Sequence, residues 1–108
     1  MGKQETLGEF EQIVLLACLH LEDAAYTVAV IEEIEGRTGR KVSHAAVYVA
    51  LRRLERKRMV TSTLGEPTRE RGGRAKRYFH VTAKAVRLLH ASRQALGRMW
   101  QGLESVGE

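Results

Sequence analysis

The segment VSHAAVYVALRRLERK, residues 42–57, constrains the fold of this chain more than any other stretch. Val47, Leu51 and Leu54 are spaced i, i+4 and i+7, which places them on one face of a helix. Ser43 stands at the position of a helix N-cap. Small, aromatic and cationic residues occupy the opposite face. The segment is therefore predicted to be a helix that buries one side and presents the other to a polyanion.

The distribution of charge supports a polyanionic partner. The chain has 108 residues and a formal net charge of +5. Residues 1–36 contain eight acidic side chains and one basic one, Lys3, whereas residues 37–108 contain seventeen basic and five acidic side chains. The net charges of the two parts are thus −7 and +12. Such asymmetry indicates binding to nucleic acid or to an anionic membrane surface, and the alternative is a solvated face without a partner.

The composition gives little support to other classes of protein. Only one proline interrupts the chain, no apolar run approaches the length of about 20 residues that spans a bilayer, and residues 1–10 lack the layout of a signal peptide. Cys18 is the sole cysteine, and its apolar surroundings indicate a buried structural thiol. The four histidines lack metal-ligand spacing, and no nucleophile–base pair is recognisable. We therefore expect a cytoplasmic protein that is not an enzyme and uses no metal or cofactor.

Periodicity and turn signals predict the elements on either side of residues 42–57. In chain order they are helices at 7–20 and 24–37, strands at 59–64 and 77–81, and a last helix at 83–102. Thr6 and Glu9 match a capping box for the first helix. Asp23 is a candidate cap for the second helix, and Gly39 suits a left-handed C-cap. Thr82 is a plausible N-cap for the last helix.

Two neighbouring elements carry the candidate DNA-binding residues. They are the helix at 43–57 and the basic hairpin turn at 65–78, which we call the wing. The candidates are Ser43, His44, Ala45, Tyr48, Val49, Arg52, Arg53, Arg69, Arg71, Arg74, Lys76 and Arg77. Arginines at this density on a turn suit phosphate contacts or insertion into a minor groove. The alternatives are a solubilising surface for the cations and a half-buried packing role for Tyr48.

The last helix carries a short, largely apolar seam. Its members recur with heptad-like spacing and are Val86, Leu89, Arg93, Leu96, Trp100 and Leu103, so that Arg93 interrupts the apolar run. A three-helix core with a small hairpin has little surface left to cover such a helix, so a second copy of the chain is expected to cover it. The candidates for this dimer interface or for a ligand site are Phe10, Leu89, Leu96, Met99, Trp100 and Leu103.

The order helix, helix, recognition helix, strand, basic turn, strand, long helix is that of a winged helix-turn-helix with a C-terminal dimerisation helix, mainly α with a small β-hairpin. The blocks LGEFEQIVLLACL, VSHAAVYVALRRLERKRMV and GEPTRERGGRAKRYFHVT also resemble the PadR-like transcriptional regulators, in the short form with a single C-terminal helix. Residues 1–82 then form the DNA-binding domain and residues 83–108 the dimerisation helix. Arg58 and Ala85 depart from the resemblance, because glycine is common at both positions.

The resemblance implies a homodimeric repressor that binds a palindromic site in double-stranded DNA through the helix at 43–57 and the wing. It also implies a small aromatic effector held beside the C-terminal helices, for which Met99 and Trp100 are natural cavity walls. Packing in the dimer seam is the alternative role of Trp100. The alternative function is a winged-helix protein-interaction module without specific DNA binding.

Overall fold

The computed structural model describes residues 5–66 and 75–107. Its elements are α1 (Glu9–Leu21), a 3-10 turn (Glu22–Ala24), α2 (Thr27–Thr38), α3 (His44–Arg56), β1 (Val60–Leu64), β2 (Arg77–Val81) and α4 (Ala83–Trp100). The strands β1 and β2 form an antiparallel hairpin in which Val60 lies opposite Val81 and Leu64 opposite Arg77. The predicted fold class, mainly α with a small hairpin, is confirmed.

The core lies between the first three helices and the base of the hairpin. Val47, Leu51 and Leu54 of α3 are all fully buried, as their spacing predicted. Leu15 of α1 and Phe79 of β2 are fully buried in the same cluster. Burial of each such side chain stabilises the fold by about 2 kcal/mol. This packing fixes the orientation of α3 and turns its opposite face outward.

Helix α1 begins later than predicted, and its cap differs from the prediction. Gly8 is the N-cap, and the Glu11 carboxylate accepts a hydrogen bond from the Gly8 amide at 3.0 Å. The predicted capping box of Thr6 and Glu9 is therefore wrong. The sequence offers two acidic residues in the first turn, and Glu11 is the one that also reaches Lys57, with 2.9 Å between the charged atoms.

The start of α2 is the largest departure from the prediction. The chain forms a 3-10 turn at Glu22–Ala24, Asp23 does not cap the helix, and α2 begins only after Tyr26. The carbonyl of Ala25 accepts a hydrogen bond from the amide of Phe79 at 2.8 Å. This bond to β2 keeps Ala25 outside the helix. No pattern in the sequence predicts it. Gly39, with φ of 73°, confirms the predicted left-handed C-cap.

The two ends of α3 are defined by hydrogen bonds. The Ser43 hydroxyl accepts from the amide of Ala46 at 3.0 Å, which confirms the predicted N-cap. At the other end the amides of Arg58 and Met59 donate to the carbonyls of Glu55 (3.0 Å) and Leu54 (2.8 Å). These bonds make a Schellman motif, whose left-handed position usually belongs to glycine. Arg58 occupies that position with φ of 63°.

Helix α4 leaves the domain after its first turns. The Thr82 hydroxyl accepts from the amide of Ala85 at 3.3 Å, which confirms the predicted cap. Ala85 and Leu89 are buried in the core, but the helix beyond them is exposed and ends at Trp100, before the predicted residue 102. The radius of gyration is 16.1 Å, compared with about 13 Å for a compact domain of 100 residues. The far half of α4 therefore projects from the domain.

Candidate nucleic-acid interface

The outward face of α3 gathers most of the predicted DNA-contacting residues. Six of them are exposed and Arg52 is half-buried; the exposed ones are Ser43, His44, Ala45, Tyr48, Val49 and Arg53. Val47 and Leu51 anchor the helix on its other side. A helix of this length extends about 20 Å and fits a major groove that is about 12 Å wide.

Three side chains form a row along this face, one helical turn apart. The rings of His44 and Tyr48 are stacked, with centroids 6.4 Å apart and planes inclined by 18°. The Arg52 guanidinium lies 5.9 Å from the centroid of the Tyr48 ring and donates to its hydroxyl at 3.3 Å. Glu55 holds the same guanidinium at 3.5 Å. These contacts restrict the side chains before any ligand arrives, which lowers the entropy lost on binding.

The wing is described only at its base. Arg69, Arg71 and Arg74, all predicted to contact DNA, lie outside the described residues. The Lys76 ammonium sits 4.2 Å from the centroid of the Tyr26 ring. Because Tyr26 precedes α2, this cation–π contact connects the base of the wing to the helix-turn-helix.

The base of the wing is closely packed. The Tyr26 ring meets the Tyr78 ring edge to face, with centroids 5.7 Å apart. Gly65 lies beneath Tyr78, where a Cβ atom would come within 2.6 Å of the ring. Glycine at position 65 therefore allows the Tyr78 ring to pack directly against the backbone that follows β1.

Arg77 has a role within the protein that sequence reasoning did not find. Its guanidinium donates to the Ser62 hydroxyl at 3.0 Å, and that hydroxyl donates to the Glu55 carboxylate at 2.5 Å. The chain of bonds connects both strands of the hairpin to α3. The cross-strand contact required knowledge of the register, which the sequence did not provide. The predicted DNA contact of Arg77 remains a prediction.

The cations at the end of α3 do not all face outward. Lys57, which directly follows α3, donates to the Glu11 carboxylate at 2.9 Å. Burial of Glu11 raises the pKa of its carboxyl, but hydrogen bonds from Lys57 and the Gly8 amide, together with the charges of Lys57 and Arg53, leave that pKa below its usual value. The charge of the half-buried Lys57 is therefore balanced by Glu11 within the protein. The sequence carried no signal for a pair separated by 46 positions.

The candidates for the dimer interface divide into two groups. The exposed fractions of Leu96, Met99 and Trp100 are 58%, 74% and 58%. Leu89 is buried, and Phe10 is half-buried with the Arg40 guanidinium 5.4 Å from its ring, so both pack on their own domain. Leu103 is exposed beyond the end of α4.

A groove of about 330 Å³ runs between α1 and α4. Its walls include Leu16 and Leu19, which the sequence-based candidates did not include, together with Leu96. Arg93 and His90 also line it. The apolar surface of α1 was visible in the sequence, but which of its residues remain exposed depends on the packing of α2 and α4.

The described residues offer little to other kinds of chemistry. Burial raises the pKa of the Cys18 thiol to about 12, so the group is uncharged and unreactive at neutral pH. Within residues 5–66 and 75–107, no three His, Cys, Asp or Glu side chains are grouped so that they could hold a metal ion. In the same part of the chain, no helix combines the length and the apolar character that a membrane crossing requires.

Solved structures similar to this chain share its fold. A PadR-like transcription factor from Bacteroides fragilis aligns with a TM-score of 0.73 and 20% identity, over 91% of this chain and 89% of that one. A PadR-like transcriptional regulator from Bacillus cereus aligns with a TM-score of 0.71 and 21% identity, over 92% and 93% of the two chains. A transcriptional regulator from Clostridium thermocellum gives 0.72 and 17%, over 91% and 89%. At these identities the likeness establishes the fold.

The sequence comparisons establish the family. A search of curated proteins found no significant match. The model of the family described as "Transcriptional regulator PadR-like family" matches residues 15–91, which is more than half of the chain. This match covers all of α3, the wing and both strands of the hairpin. The chain therefore belongs to the PadR-like family of transcriptional regulators, which are DNA-binding proteins and not enzymes.

Proposed function

We propose that the protein is a homodimeric, sequence-specific repressor of transcription. The outward face of α3 carries the proposal, because it presents the ordered row of His44, Tyr48 and Arg52 on a helix that is anchored from behind. In helix-turn-helix proteins such a helix enters the major groove. The wing, residues 65–78, then follows the flanking backbone or a minor groove.

The exposed end of α4 supports homodimerisation. Soluble monomers rarely expose large contiguous apolar surfaces, yet Leu96, Met99 and Trp100 are each more than half exposed. A second copy that places its own α4 against the groove between α1 and α4 would cover them. A two-fold dimer binds a palindromic site, with half-sites about 10 bp apart. This assembly assigns residues 1–82 to DNA binding and residues 83–108 to dimerisation.

The same surface supports regulation by a small aromatic effector. In a dimer, Met99 and Trp100 of the two copies would line the space between the C-terminal helices, where a flat apolar molecule can stack. Trp100 is the only tryptophan, so its fluorescence reports on this site alone. We expect quenching by planar aromatic compounds, and no quenching by any of them would contradict the effector. A cytoplasmic location, with access to the chromosome, completes the proposal.

The proposal is tested by selecting bound DNA from a random pool and measuring the mass of the complex. The expected result is a palindromic motif occupied by two copies of the chain. If no motif is enriched, the protein is not a specific regulator. Weak retention on heparin would then favour the protein-interaction module.

Arg53 offers a test of the face of α3. Arg53→Ala should weaken binding to all sequences and reduce the slope of log K against log salt by about 1 for each half-site. Arg37→Ala is the matched control, because it removes the same charge from α2, where the side chain pairs with Glu33. Equal slopes for the two variants would contradict the placement of DNA on α3.

A further inference from the structure

We propose that Val49 recognises thymine methyl groups in the major groove, so that each half-site carries a thymine beneath the middle of α3. The inference deepens the proposed function and rests on it. It concerns which bases are recognised, whereas the proposed function requires only that some sequence is preferred.

The outward face of α3 consists of two parallel rows. His44, Tyr48 and Arg52 form the polar row described above. Ala45, Val49 and Arg53 form the second row at the same spacing of four residues. All three are exposed, and the Val49 side chain is 50% exposed. The second row is thus apolar in its first turns and cationic at its end.

The chemistry of the second row limits what it can recognise. The side chains of Ala45 and Val49 have no hydrogen-bond donor or acceptor. The only apolar group that a base pair presents in the major groove is the C5-methyl of thymine. Val49 is also stiff about χ1, so it loses little entropy when it packs against a methyl group.

Folding does not account for an exposed valine at this position. Valine forms helices less readily than alanine, and the buried face of α3 is already completed by Val47, Leu51 and Leu54. Two cations, Arg52 and Arg53, lie one helical turn from Val49. They indicate that a polyanion occupies this surface. An apolar side chain one helical turn before them suits a polyanion that carries methyl groups, and double-stranded DNA does.

The experiment replaces thymine by deoxyuridine at single positions of the selected operator, which removes only the methyl group. For the wild-type protein, uracil at the recognised position should weaken binding about fourfold per half-site, the effect of one buried methyl group. Val49→Ala should bind thymine and uracil operators almost equally. This variant should fold, because alanine is the better helix former at an exposed position.

Val106→Ala is the matched control, since it truncates another exposed valine, 65% exposed, far along the chain from α3. It should keep the wild-type ratio of thymine to uracil affinity, because any effect of residue 106 on dimerisation changes both affinities alike. An enriched motif whose affinity is insensitive to uracil, or an equal ratio for the wild type and Val49→Ala, would overturn this inference and leave the proposed function standing. Failure to enrich any motif would overturn both.

Discussion

Replacement of Arg58 by glycine should stabilise the protein. Arg58 follows α3 in the left-handed conformation, with φ of 63°, and its amide and that of Met59 close the helix by hydrogen bonds to Glu55 and Leu54. A residue with a Cβ atom is disfavoured there, because the Cβ crowds the following carbonyl. The two bonds and the carbonyl that accepts from the Thr82 hydroxyl belong to the backbone, so glycine retains them.

The expected magnitude is the difference between two terms. Relief of the left-handed conformation contributes about 1–2 kcal/mol, and the extra freedom of glycine in the unfolded chain offsets about 0.4–1 kcal/mol. At the middle of both ranges the net gain in the free energy of unfolding is about 0.8 kcal/mol, which raises Tm by about 3–6 °C for a chain of this size.

Urea and thermal unfolding followed by circular dichroism would measure the effect, at one fixed protein concentration because the proposed dimer would make Tm depend on concentration. Arg58→Ala controls for the lost charge, since it keeps a Cβ atom. Arg56→Gly, the same change at the last residue of α3, where the backbone is still helical, should destabilise by up to about 1 kcal/mol. If Arg58→Gly were no more stable than Arg58→Ala, the backbone argument would be wrong.

Two further substitutions test contacts around the interface. Glu11→Gln removes the charge that faces Lys57. The pKa of Glu11 is lowered in the folded protein, so its charge stabilises the fold above its ordinary pKa of 4.5, and this contribution is lost as the pH falls through the lower folded value. The variant should be about 1–2 kcal/mol less stable at neutral pH, with a flatter acid limb in urea titrations, and coincident curves for both proteins would refute the role of the pair. Gly65→Ala should destabilise by about 1–2 kcal/mol, because its Cβ would lie 2.6 Å from the Tyr78 ring. The control Gly36→Ala, whose Cβ would have no neighbour within 4 Å, should stabilise by about 0.5–1 kcal/mol, and a Gly65→Ala protein that melts no lower than the wild type would contradict the close approach.

The elements that the sequence predicted well are those whose signals are local. Helix α3 has a capping serine, a buried stripe and small, aromatic and cationic residues opposite, all within one segment, and the structure confirms each. The strand β2 has the predicted bounds. Its aromatic and β-branched residues favour a strand, and the basic turn before it and the capping threonine after it define its two ends. The predicted start of α2 was wrong because the Ala25 carbonyl accepts a hydrogen bond from the amide of Phe79, a residue far along the chain.

In the candidate site, too, the features with local signals were predicted and the contacts between distant segments were not. Periodicity on α3 was sufficient to predict which side chains face outward, because a helix that buries Val47 and Leu51 turns Tyr48 and Val49 to the opposite side. It could not predict that Lys57 pairs with Glu11 or that Arg77 reaches Ser62. These contacts depend on how α1 and β1 pack in the fold. The sequence alone does not distinguish a cation that has a partner within the protein from one that faces solvent.

The sequence by itself determined the type and order of the elements, the family and the outward face of α3, because helix periodicity, caps and turn residues act over a few positions. Only the tertiary structure decided which charges remain available at that face and which apolar residues of α1 and α4 stay uncovered. Both depend on contacts between segments distant in the chain. Arg58 combines the two cases: its departure from glycine was visible in the sequence, and its left-handed conformation became visible only in the fold.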